Sequence, residues 1–216
     1  MRHIAIITDG SRRWARSKGL PVKTGYLQSL LKGENCCDWA IKNKIEYLTF
    51  YGFSTENWKR DNEEVKELFE LIQAWIEERK NWCKNRGIKV TFIGRKDRLP
   101  NSLLLACYNL EKYTENCNSL KLQICLDYGG RDEIVRAIQA GAKTEEEITQ
   151  ILTSYAPEPD LILRPGGRKR ISNFFIWQAA YSELIFLDEY FPDLTFELLD
   201  MVMQEYLGRA RTYGGN

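Results

Sequence analysis

A chain of 216 residues, 44% hydrophobic and 12% aromatic, is long enough for one domain with a sizeable core. Its 31 lysines and arginines balance 30 acidic residues, which excludes a generic polyanion binder, because non-specific nucleic-acid affinity needs a surplus of cations. Apolar runs such as Ile4 to Ile7 and Leu161 to Leu163 are too short to span a bilayer, and Met1 to Thr8 shows no cleavable signal, so a cytoplasmic protein is expected.

The first element in chain order is a strand over His3–Thr8, followed by Asp9-Gly10-Ser11-Arg12-Arg13-Trp14. Two readings of that cluster stand side by side. Asp9 and Gly10 could turn the chain and cap a helix, with the arginines solvated. Alternatively, Arg12 and Arg13 could bind a diphosphate beside free backbone N–H groups, with Asp9 holding a hard divalent cation. A second strand, Tyr47–Phe53, passes into Ser54-Thr55-Glu56-Asn57-Trp58-Lys59-Arg60. Aromatic residues near a strand end, such as Phe53, usually belong to a core. Asn57 and Arg60 are harder to explain that way.

From Glu63 to Trp82, Val65, Leu68, Phe69, Ile72, Trp75 and Ile76 recur at helical spacing and give one apolar face. That face is core, the wall of a binding tunnel, or both. Strands follow at Lys89–Ile93, Lys121–Leu126, Asp160–Leu163 and Leu184–Leu187, and a last amphipathic helix at Phe196–Arg209. Strands alternating with helices predict an α/β sandwich, a single domain over residues 1–216, with a mainly parallel central sheet flanked by helices. Ligands of such sheets gather beyond the carboxyl ends of the strands, where the polar clusters fall.

The strand ending at Leu163 delivers Arg164, and Gly166-Gly167 let the backbone approach a ligand closely. Arg164, Arg170 and the Ser172 hydroxyl then offer a fork-shaped anion site. The cysteines, Cys36, Cys37, Cys83, Cys107, Cys117 and Cys125, contain no CxxC pair, and the single histidine, His3, cannot complete a zinc quartet with them. Reduced, buried thiols are expected. Neither GxxxxGK[ST] nor a GxGxxG turn occurs, which disfavours a nucleotide hydrolase.

Three ordered segments carry a resemblance. His3 to Trp14 with Gly19-Leu20-Pro21, Tyr47 to Arg60, and Leu163 to Phe174 extended by Trp177-Gln178 are similar to the signature motifs of the cis-prenyltransferase (undecaprenyl diphosphate synthase-like) family. Tyr128-Gly129-Gly130-Arg131 and Tyr213-Gly214-Gly215 extend the likeness over nearly the whole chain. The resemblance implies a Mg2+-dependent enzyme joining an allylic prenyl diphosphate to isopentenyl diphosphate, with the chain in a hydrophobic tunnel between sheet and helices. It implies that Asp9 assists magnesium and the leaving group, with Glu183 completing the metal site, and that Ser54 and Asn57 orient the alkene or help remove a proton. Gly10, Ser11, Arg12, Arg13, Trp14, Tyr26 and Arg60 would bind substrate, Phe53 and Trp58 would flank an allylic cation, and Arg164, Arg170 and Ser172 would hold the homoallylic diphosphate. It further implies a homodimer, with no transmembrane segment and at most peripheral membrane contact through the product.

The sequence departs from the family pattern near the donor site. Ser11-Arg12 replaces Asn-Gly, Gly25-Tyr26 replaces a glycine-histidine pair, and Val22, with Lys23 next to it, stands where an arginine is expected. Pro165 and Arg168 replace a threonine and a glutamate, and Thr212 replaces an arginine that reaches a partner's diphosphate site. Regular cis elongation to a short or medium product is the first expectation. A lavandulyl-type coupling of dimethylallyl diphosphate with another allylic diphosphate is the second, and a non-catalytic subunit of a prenyltransferase complex the third.

Overall fold

The computed structural model describes residues 1–152 and 156–210. All six expected strands form: β1 (His3–Ile7), β2 (Tyr47–Tyr51), β3 (Ile88–Ile93), β4 (Leu120–Cys125), β5 (Leu161–Arg164) and β6 (Glu183–Phe186). They make one sheet in the order β3-β4-β2-β1-β5-β6, and every pairing is parallel. The sheet is thus wholly rather than mainly parallel, because each connection crosses back over a face instead of turning as a hairpin.

Alternation within the strands divides the core. Ile4, Ile6, Leu48, Phe50, Leu122, Leu161 and Leu163 join the larger cluster, with side chains from α2 (Val22–Lys42), α3 (Asn62–Asn85), α4 (Asn101–Tyr113) and α7 (Phe196–Leu207). On the other face Ala5, Ile7, Tyr51, Cys125 and Ile162 pack on Tyr128, Phe174 and Phe175, near α5 (Gly130–Gln139) and α6 (Glu145–Leu152). The long helix predicted from Glu63 starts one residue earlier. Asp61 is its cap, its carboxylate accepting from the N–H groups of Glu63 at 3.0 Å and Glu64 at 3.3 Å. Five of the cysteines are buried and all six are free.

Two features fix the entrance to the site. Helix α1 (Ser11–Ser17) crosses α2 so closely that a Cβ on Gly25 would lie 2.1 Å from the Ser11 carbonyl oxygen, so only glycine fits the crossing. Beside it, the Ser11 and Ser29 hydroxyls are 2.6 Å apart.

On the opposite face His3 is 1% exposed, its Nδ1 2.7 Å from the Pro157 carbonyl and its Nε2 2.8 Å from Thr49 Oγ1. Burial lowers its pKa from 6.5 to about 4. As pH falls through this range the unfolded chain takes up the proton first. Stability is therefore complete above pH 6.5 and is lost as pH falls toward the folded value, by about 3 kcal/mol. Urea unfolding of the wild type between about pH 7 and pH 4 should show that slope, and His3→Gln should flatten it. An identical slope in both proteins would assign the acid sensitivity elsewhere.

Candidate active site

Beyond the carboxyl ends of the strands lies a cavity of about 410 Å³ with a polar mouth and an apolar interior. Asp9, Gly10, Ser11, Arg12, Arg13, Arg16, Tyr26 and Arg60 line the mouth. Leu30, Gly33 and Phe50, then Leu68, Ile72 and Trp75 of α3 and Leu122, Ile124 and Leu126 at β4, line the interior. From Leu68 to Trp75 the cavity follows α3 for two turns, about 10 Å. The volume suits a small organic ligand. The α3 stripe is accordingly both core and wall: Leu68, Ile72 and Trp75 face the cavity, whereas Val65, Phe69 and Ile76 belong to the packed cluster.

Asp9 stands at the centre of the polar end. The cap of α1 is Gly10, with no side-chain cap bond, so Asp9 is not an N-cap residue. One carboxylate oxygen pairs with Arg13 Nη2 at 3.0 Å and the other with Arg164 Nη2 at 2.9 Å. A single carboxylate therefore ties the cluster after β1 to the cluster after β5. Arg13 Nη1 donates to the Gly166 carbonyl at 2.7 Å, and its guanidinium lies 5.2 Å from the Tyr190 ring centroid. Gly166 has φ +97°, and a Cβ there would come within 2.9 Å of Arg13 Nη2, so this turn requires glycine. Arg164, 5% exposed, donates from Nη1 to Ser172 Oγ at 2.7 Å and to the Arg170 carbonyl. Ser172 and Asn173 both hold positive φ, of 50° and 63°. Asn173 is pinned by its Nδ2, which donates to Glu56 Oε1 at 2.7 Å.

A second cluster closes the mouth. Glu64 receives the Tyr26 hydroxyl at 2.6 Å, Arg12 Nη2 at 3.2 Å and, more loosely, Arg60 Nη1 at 3.8 Å. Arg60 also donates to the Tyr26 oxygen at 3.1 Å. Burial, then the bond to Glu64, pushes the Tyr26 pKa up, so Tyr26 stays a neutral donor. Arg12, a residue of the cavity wall, has its Nε buried without a hydrogen-bond partner.

Several expected site residues stand elsewhere. Glu183 opens β6 in register with Leu161, which pairs with Ile4, at the amino ends of the strands. Asp9 lies five residues further along and two strands across, a separation of roughly 19 Å. Glu183 is instead ion-paired with Arg209 at 2.6 Å. Within one chain it cannot share a cation with Asp9, because the parallel register sets the two at opposite ends of the sheet. Phe53 is fully buried and packs edge-on against Trp58 and Phe69, and Trp58 Nε1 donates to Asp127 at 2.8 Å. This pair supports the floor of the motif and does not line the cavity. Trp14 likewise turns inward, its Nε1 2.7 Å from Asp193. Ser54 and Asn57 form a capping box, the Ser54 N–H donating to Asn57 Oδ1 at 3.1 Å, over the 3₁₀ turn Thr55–Lys59. Arg170 meets Arg164 through its carbonyl, its side chain exposed. The departures at 211–215 lie outside the described residues.

Glu64 and Arg16 were not among the expected site residues. Arg16 follows Arg12 and Arg13 at helical spacing, a signal the sequence offers; Glu64 reads as an ordinary acidic residue in a first helical turn. Among the described residues no group of three or more His, Cys, Asp or Glu side chains could hold a metal. Asp9 alone nevertheless fits a magnesium ion shared with a diphosphate, since Mg2+ is commonly held by one or two carboxylates plus substrate phosphates.

The sequence profile of the undecaprenyl diphosphate synthase prenyltransferases matches residues 7–214. An isoprenyl transferase of Aquifex aeolicus is 41% identical over 98% of this chain and 95% of its own length. One from Fusobacterium nucleatum is 39% identical over 99% and 96%. The crystal structure of lavandulyl diphosphate synthase from Lavandula x intermedia, in complex with dimethylallyl diphosphate, superposes with a TM-score of 0.95 at 30% identity, covering 99% of this chain and 98% of that one. A crystal structure described as that of "a probable undecaprenyl diphosphate synthase" from Campylobacter jejuni gives 0.85, also at 30% identity and the same coverage. With a matching profile over nearly the whole chain and relatives near 40% identity, the chain belongs to the undecaprenyl diphosphate synthase family of prenyltransferases.

Proposed function

We propose that the protein condenses an allylic prenyl diphosphate with isopentenyl diphosphate, dependent on Mg2+, to give a cis-prenyl diphosphate of short to medium length. The observation that carries this reading is the joining of an arginine-lined mouth to an apolar cavity of about 410 Å³. In the reaction the allylic C–O bond breaks and diphosphate leaves. The terminal alkene carbon of isopentenyl diphosphate forms the new C–C bond, and one proton is lost from the adjacent methylene.

Arg12, Arg13 and Arg60 stabilise the departing diphosphate from the cavity mouth, with Arg60 held in place on Tyr26. Arg164 and Ser172 do not line the cavity but flank its mouth through Asp9; Ser172, exposed there, holds the second diphosphate with the buried Arg164 positioning it, and Asp9 fixes the spacing between the two sites. A magnesium ion on Asp9 would supply further charge neutralisation to the leaving group. Ser54 and Asn57 orient the turn that carries Arg60. A homodimer is supported by β6, an edge strand whose Leu184 is 38% exposed beside Tyr181 at 61%.

The close superposition on lavandulyl diphosphate synthase favours one second reading, the irregular coupling of two allylic diphosphates. Incubation with Mg2+ and dimethylallyl, geranyl or farnesyl diphosphate, each with and without isopentenyl diphosphate, decides between them. Products only with isopentenyl diphosphate are expected. Product from dimethylallyl diphosphate alone would establish irregular coupling, and no product from any pair would overturn both.

A further inference from the structure

Between Gly10 and Gly33 lie six of the chain's 31 basic side chains and none of its 30 acidic ones, in a protein whose overall charge is balanced. The structure divides these six. Arg12 and Arg13 turn into the cavity mouth and Lys32 binds the Leu194 carbonyl. Arg16, Lys18 and Lys23 are exposed at the elbow between α1 and α2, Lys18 lying over the Trp14 ring at 5.1 Å.

The same elbow carries exposed leucines. Leu20 is 40% exposed, Leu27 46% and Leu31 39%. Lys23, Leu27 and Leu31 follow one another at i, i+4 on the outward face of α2. The neighbouring face of the helix presents Tyr26, Ser29 and Leu30 to the cavity, and Arg16 belongs to both surfaces. An exposed apolar stripe bordered by cations, from a segment without acidic residues, immediately abuts the opening of the cavity, and the acidic side chain brought beside the elbow from elsewhere, Asp193, is engaged by the Trp14 indole.

We infer that the α1–α2 elbow docks on the surface of an anionic lipid bilayer. Leucines without hydrogen-bonding demands suit the boundary between headgroups and acyl chains, and Lys18 and Lys23 beside them suit anionic headgroups. No acidic side chain in the segment opposes that contact. With the elbow seated, the cavity mouth faces the bilayer, where an amphiphile with a charged head and a greasy tail is received or released without crossing water. The inference goes beyond the proposed reaction, and the experiment reads binding without turnover, so the failure of either leaves the other intact.

The test is cosedimentation of the full chain with vesicles of phosphatidylcholine alone or mixed with phosphatidylglycerol, at low and high salt. Binding is expected only to the phosphatidylglycerol vesicles and to weaken with salt. Lys18→Gln with Lys23→Gln should weaken it about 30-fold, the effect of about two basic groups at such a surface. Leu27→Gln with Leu31→Gln should weaken it about 10-fold while the remaining binding keeps its salt dependence. Leu105→Gln with Tyr108→Gln on α4, also exposed and apolar, should change nothing. Absence of binding to either vesicle, or equal losses from the α4 pair and the elbow pairs, overturns the assignment. Far-ultraviolet circular dichroism of each variant separates lost binding from lost fold.

Discussion

Asp9→Asn is expected to lower turnover about 10³-fold while leaving a folded protein. The substitution keeps the shape of the side chain and removes only its charge. That charge stands between Arg13 Nη2 at 3.0 Å and Arg164 Nη2 at 2.9 Å, so its loss frees both guanidiniums at once. Removing one preorganised electrostatic contact to a transition state typically costs 10²–10³ in rate, and Asp9 orients two such contacts and offers the carboxylate for a shared cation. Stability should fall by only about 1–3 kcal/mol, because Arg164 keeps Ser172 and the Arg170 carbonyl, and Arg13 keeps the Gly166 carbonyl. Single-turnover rates and chemical denaturation separate the two effects. A variant that loses several kcal/mol yet keeps wild-type turnover per folded molecule would reduce Asp9 to a structural tie. Arg164→Lys is the companion measurement. It preserves a charge but not the fork that spans Asp9 and Ser172, so the rate should not be rescued.

The same carboxylate shows what sequence reasoning reaches. Strand runs, the α3 stripe and the arginine-bearing strand ends are local patterns, and they located all six strands and the mouth of the cavity with Asp9, Arg12, Arg13 and Arg60, whereas Tyr26 was reached only through the family resemblance. Glu183 shows the limit. A carboxylate at the start of a strand and one after the end of another look equivalent in sequence, and only the parallel register puts them at opposite ends of the sheet. Phe53 and Trp58 show a second limit. Phe53 lies two residues beyond β2 and packs with Leu48 and Phe50 rather than on the Tyr51 face that strand alternation would give it, and Trp58 then closes over it with its indole N–H on the buried Asp127. Glu64 was illegible for another reason. Its role depends on Tyr26, 38 residues away, and on Arg12, and both arrive through the tight α1–α2 crossing at Gly25.

Product length should be set where α2 meets the apolar end of the cavity. Gly33 lines that wall, and an added Cβ would sit 3.6 Å from Phe50 Cε2 and 3.8 Å from Cζ, in ordinary contact. Gly33→Ala is therefore sterically tolerated, and should stabilise α2 by about 1 kcal/mol through helix propensity alone. Gly33→Leu sends three further carbons into the void, close to the bulk of one five-carbon unit. Each buried methylene contributes about 0.8 kcal/mol, so a chain denied space for one unit loses about 4 kcal/mol, or roughly 10³-fold in preference. The expected result is a product distribution shortened by at least one unit in Gly33→Leu, with Gly33→Ala between it and the wild type, read by chromatography of the dephosphorylated products. Turnover of the first condensation should be retained in both, because the substitution lies about two helical turns below Tyr26 and the arginines. Unchanged product lengths in a Gly33→Leu protein that melts like the wild type would mean that the growing chain takes another route through the molecule, and the cavity beneath Asp9 would lose its role as the ruler.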